Sequence, residues 1–138
     1  MRVFYTGKTA EVYFDDSTDT LFLKYLEKVK DTKEFVEINT EVLNAFKTLR
    51  TQKFVADIRK MGIISLESQN WVVDNLIPGM LDHLKGKPLH HAQLIDPKEV
   101  FAKVSGTNIK SKAKSKANGL VVRQFTSQDE LTNYLRTV

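Results

Sequence analysis

A short apolar run, Phe54-Val55-Ala56-Asp57-Ile58, passes through a loop holding Gly62 and into a long apolar-periodic segment opened by Ser65. No other stretch constrains the fold as tightly as this one, Lys53 to Leu84. A strand that feeds directly into a helix is the first half of a β-α-β unit, and such units build sheets covered by helices. With 138 residues, the chain has the size of one domain and can bury a core without staples. The expectation is a single α/β domain over residues 1–138.

The flanking segments extend the pattern. Ala10 to Phe14 alternates as a strand, with Val12 and Phe14 on one face and Tyr13 on the other. Asp15 to Asp19 is a turn, and Thr20 to Val29 returns antiparallel, placing Leu21, Leu23 and Tyr25 together. Val3 to Tyr5 is a candidate edge strand. Asp31-Thr32-Lys33-Glu34 has capping-box spacing, and Phe35, Ile38, Val42, Phe46 and Leu49 follow at helical spacing.

In the second helix Leu66, Trp71, Val73, Leu76, Ile77, Met80, Leu81 and Leu84 form a wide apolar stripe, which predicts deep burial. Pro78 lies inside it and should kink or split the helix near Leu76. Lys85-Gly86-Lys87-Pro88 stops the helix and Leu89 to Ile95 is the next strand. Asp96-Pro97-Lys98-Glu99 signals a further helix, with Val100, Phe101 and Val104 as its apolar face. Leu120 to Phe125 is the last strand. Ser127 to Glu130 is a capping box, and Leu131, Tyr134, Leu135 and Val138 face inward behind it. The order is β-β-α-β-α-β-α-β-α: a mixed sheet, an antiparallel hairpin first and parallel right-handed crossovers after it.

A hairpin, a helix, a strand ending in aspartate (FVADIRKM), a loop and a serine-capped helix together resemble the STAS domain. That is the fold of bacterial anti-sigma-factor antagonists. The run ISLESQNWVVDNLIP, with the helix start at Pro97 and the strand at Leu120, is similar to SpoIIAA-like proteins of the Bacteroidetes type, a group akin in fold to the lipid-carrying CRAL-TRIO (Sec14-like) domains. The resemblance covers the chain from about Ala10. STAS antagonists carry an Asp-Ser-Ser-Gly-type run with a phosphorylated serine where the loop meets the helix. This chain reads Ile64-Ser65-Leu66-Glu67-Ser68 there. Ser65 is the first stand-in for the phosphorylated serine and Ser68 the second; Asp57 matches the strand-terminal aspartate.

The resemblance implies a non-enzymatic regulatory module that binds a protein partner through the loop and helix start at 57–68. Its candidate residues are Asp57, Arg59, Ser65, Ser68 and Trp71, with Ser65 the candidate phosphorylation site. Physical chemistry supports two of these independently. A serine at a helix start can cap free backbone N–H groups or carry a phosphate there. An aspartate at a strand's C-terminal end lies where crevices form in α/β sheets. The alternative is a carrier of a small apolar ligand or lipid, suggested by the Sec14-like kinship and by the apolar second helix that Pro78 breaks.

Other classes find little support. The chain has no cysteine, so disulfides and thiolate metal sites are excluded, in keeping with a reducing, cytoplasmic setting. No apolar run approaches the roughly 20 residues that span a bilayer. His90 and His91 are adjacent on a strand and point to opposite faces, so they cannot chelate one metal together. No catalytic, metal or cofactor motif stands out. The net charge of +4 is local: six lysines and one acid, Glu99, lie between Lys98 and Lys116. That stretch holds no arginine and only Phe101 as an aromatic, which argues against nucleic-acid readout. The hairpin edge and the aromatic N-terminus are compatible with a homodimer.

Overall fold

The computed structural model describes residues 1–98 and 119–138. Its elements are β1 (Arg2–Thr6), β2 (Ala10–Asp15), β3 (Thr20–Tyr25), α1 (Thr32–Lys47), β4 (Lys53–Asp57), α2 (Leu66–Trp71), a π-helical turn (Val72–Leu76), α3 (Ile77–Leu84), β5 (Leu89–Leu94), β6 (Leu120–Phe125) and α4 (Gln128–Thr137). The expected helix after Pro97 and the lysine-rich stretch 110–116 lie outside the described residues.

The six strands form one mixed sheet in the order β1-β2-β3-β4-β5-β6. β1, β2 and β3 pair antiparallel, and β3 to β6 pair parallel. The α/β class and the hairpin-first mixed sheet are as the sequence implies. From β3 to β5 the chain steps across the sheet in one direction. Right-handed crossovers then place α1 and the α2–α3 segment on the same face, and one core cluster joins them to Leu21, Leu23, Tyr25, Phe54 and Leu89. On the other face, among the described residues, α4 packs its Leu131 and Leu135 on Phe22, Val55, Ala92 and Leu94. The Lys53 ammonium donates to the Leu135 carbonyl at 2.6 Å, so β4 satisfies a free acceptor at the end of α4.

Several boundaries differ from expectation. The return strand stops at Tyr25, not Val29: the Leu26 and Glu27 N–H groups both turn back to the Thr9 carbonyl. The central strand and β5 each end one residue early, at Asp57 and Leu94. Val138 is exposed rather than inward-facing, because α4 ends at Thr137. Leu66, assigned to the apolar stripe, is 62 % exposed. It is the first residue after the cap, where the helix has only begun to turn onto the core.

Pro78 splits the second helix where expected, and the split takes a definite form. Proline lacks an N–H, and its ring crowds the carbonyl four residues back. The chain widens by one residue per turn before it, so the Ile77 N–H donates to the Val72 carbonyl. Pro78 then sits in the first turn of α3, where no donor is required. The wider turn re-phases the segment, and Val72, Val73, Leu76, Ile77, Met80 and Leu84 all become buried.

Candidate functional site

Asp57 ends β4 and is 5 % exposed. A buried carboxylate needs charge and donors around it, and the next residue but one supplies both. Arg59 Nε donates to Oδ1 at 2.9 Å and Nη2 to Oδ2 at 2.7 Å, with the Arg59 backbone N–H adding a longer contact of 3.3 Å to Oδ1. The Asp57 hydrogen bonds raise the Arg59 pKa further above its ordinary value. The pair forms one wall of a crevice of about 300 Å³, completed by Lys24, Tyr25, Lys60 and Asp96. Lys24 arrives by register, since it is the β3 partner of Asp57. Tyr13 lies close by, stacked on Phe22 at 5.2 Å. Burial, then the charges of Glu11, Asp57 and Asp15, push its phenol up to about 12.

Ser65 belongs to a different place. It caps α2, accepting from the Ser68 N–H at 3.0 Å. Its hydroxyl also donates to Ser68 Oγ at 3.0 Å and lies 2.6 Å from Thr32 Oγ1, the first residue of α1. These hydroxyls line a cleft of about 260 Å³ with Val29, Lys30, Asp31, Ile63 and Ile64. The loop from Met61 is tied to this cleft by the Val29 N–H, which donates to the Met61 carbonyl at 3.1 Å. Gly62 makes the turn with φ of 77° and has the Lys28 side chain against it. Ser65 is exposed, whereas Ser68 is 1 % exposed and closed off from modifying reagents.

The five candidate residues therefore divide. Asp57 and Arg59 share the crevice, and Ser65 and Ser68 share the cleft. Trp71 lines neither; it is half-buried and packs against the main core. The sequence reading missed Thr32, Lys24, Lys60 and Asp96. Thr32 lies 33 positions from Ser65, and no local pattern joins them. Lys24 could have been placed from the parallel pairing of β3 with β4. Ile63, also overlooked, is 62 % exposed, so two large apolar side chains, Ile63 and Leu66, flank the exposed serine.

His90 and His91 do face opposite sides of the sheet. His91 is fully buried, stacked on Phe54 at 4.9 Å, and its Nδ1 lies 3.2 Å from the Phe54 carbonyl. A carbonyl only accepts, so Nδ1 carries the proton. Burial pushes the His91 pKa down to about 4. Burial, then Lys53 and Arg123, lower that of His90. His83 is tied elsewhere, with Nε2 2.7 Å from the Leu49 carbonyl. Among the described residues no group of three His, Cys, Asp or Glu is placed to hold a metal.

Beneath the π turn, Val72 and Leu76 roof a cavity walled by Tyr25, Asn39, Phe54, His91 and Gln93. It measures about 30 Å³, room for about one water, whereas ligand sites run from about 300 Å³ upward. No helix among the described residues is long and apolar enough to cross a membrane. The chain matches no protein-family model, no curated protein and no solved structure.

Proposed function

We propose that the protein is a non-enzymatic cytoplasmic regulatory module of STAS/SpoIIAA-like type that binds a protein partner through the 61–68 loop and helix start. The observation that carries this reading is the pair Ile63 and Leu66, each 62 % exposed on either side of exposed Ser65. Burying what remains exposed of two such side chains against a partner is favourable by about 1–2 kcal/mol each, and the hydroxyls of Thr32 and Ser65 supply a polar rim beside them. Phosphate on Ser65 would bring about −1.5 to −2 charge into the 2.6 Å contact with Thr32. It would separate the starts of α1 and α2 and alter the face that the partner reads.

Photo-crosslinking from position 66 in the native cells identifies the partner, with position 47, at the far end of α1, as control. Binding of that purified partner should then be lost in Leu66→Glu at unchanged melting temperature. Equal crosslinking from both positions, or unchanged affinity in Leu66→Glu, counts against the proposal. A carrier of a small apolar ligand is the second reading. It is favoured by the π turn lying directly over the core cavity, since π turns are frequent at functional sites. It requires that cavity to open roughly tenfold to reach the usual size of a ligand site.

A further inference from the structure

The crevice beside Asp57 is separate from the serine cleft, and its chemistry points to a different occupant. It lies outside the C-terminal ends of parallel strands β3 and β4, the edge at which open α/β sheets bind ligands. Three cationic side chains from two segments meet there: Lys24 from β3, and Arg59 and Lys60 from the loop after β4. Two carboxylates accompany them, and each already has a task. Asp57 is held by Arg59, and Asp96 Oδ1 accepts from the Lys98 backbone N–H at 2.8 Å. Lys24 and Lys60 form no ion pair among the described residues.

The arrangement of Arg59 matters most. A guanidinium has five N–H donors, and Asp57 takes only one on Nε and one on Nη2. The buried carboxylate holds the side chain in place, and the remaining donors have no hydrogen-bond partner among the described residues, at a side chain that is 40 % exposed. A guanidinium already fixed loses little freedom on binding. Two ammonium groups on separate elements act as point charges around it, a set suited to the tetrahedral oxygens of phosphate. The volume of about 300 Å³ is at the small end of ligand sites, enough for a phosphate on a small organic body.

We propose that this crevice binds a small phosphorylated molecule, with Lys24, Arg59 and Lys60 as the groups that hold its phosphate. The test is an amide NMR titration of the full chain with inorganic phosphate, and with acetate at matched ionic strength. Phosphate should give saturable shifts confined to residues 24–25, 57–60 and 96, and acetate should bind at least tenfold more weakly. Lys24→Ala/Lys60→Ala should raise the phosphate Kd at least tenfold with an unchanged melting temperature. Ser65→Ala should leave it unchanged, so failure here is distinct from failure of partner binding at the serine cleft. Non-saturating shifts, equal binding of acetate, or a Kd unmoved by the double lysine variant would overturn the proposal.

Discussion

Replacing His91 with Asn should flatten the acid limb of the stability curve. His91 is fully buried, with its Nδ1 proton on the Phe54 carbonyl. Burial holds its pKa at about 4 in the folded chain, against about 6.5 when unfolded. As pH falls through 6.5 the unfolded chain takes up a proton that the folded chain refuses until near 4. The stabilisation is therefore fully present above pH 6.5 and is lost progressively down to about pH 4. At about 1.4 kcal/mol per decade, the whole interval is worth about 3 kcal/mol, of which about 2 kcal/mol falls between pH 7 and pH 4.5. Asn keeps a donor for the carbonyl but cannot titrate. Its loss of ring packing lowers stability at every pH by about 1–3 kcal/mol, which cancels when pH values are compared within one variant. Urea unfolding followed by circular dichroism at pH 7, 5.5 and 4.5 gives the comparison. The wild type should lose about 2 kcal/mol more than His91→Asn over that range. Equal losses would refute the reasoning, because the acid sensitivity would then belong to other groups.

Other perturbations separate the roles assigned above. Arg59→Ala strips the main partner from a buried carboxylate; a loss of about 3–5 kcal/mol is usual for a fully buried pair. Here Arg59 is 40 % exposed and water reaches the crevice, so about 1–2 kcal/mol is expected by urea titration, and Asp57→Asn in the same chain should restore part of it. Gly62→Ala should cost about 1–2 kcal/mol from its left-handed backbone, seen as a lower denaturation midpoint at unchanged slope. Ser65→Ala removes a helix cap and should cost about 1 kcal/mol, whereas Ser65→Asp, which can still cap, should cost less. Leu66→Glu changes an exposed position and should shift stability by less than about 0.5 kcal/mol, so any loss of binding in it reads the surface directly.

Much of the fold was legible because its signals are local. Asp31, Ser65 and Ser127 each cap a helix by accepting from an N–H three residues on, and that spacing is visible in the chain. Alternation separated Val12 from Tyr13 in 10–14, and Leu21 and Leu23 from Phe22 in 20–25, and the two core clusters divide each strand in the same way. Pro78 marked the break near Leu76, but not the π turn that absorbs it, since widening is one of several ways to release a carbonyl. The candidate site was less legible, because its groups converge from distant parts of the chain. Reading 57–68 as one site was reasonable from adjacency. Yet Asp57 lies in the sheet edge with Lys24 and Asp96, while Ser65 turns toward Thr32 on α1. Leu66 counted as apolar stripe by type and spacing, and only the position of the helix start shows it exposed.

Native mass spectrometry of the protein from its own cells tests most directly whether a protein partner reads the face around Ser65. A protein-sized added mass that dissociates on denaturation and is absent from Leu66→Glu is the expected result, in keeping with partner binding at that face. A small added mass, soluble in organic solvent, present in both wild type and Leu66→Glu, would contradict it and establish the carrier reading instead.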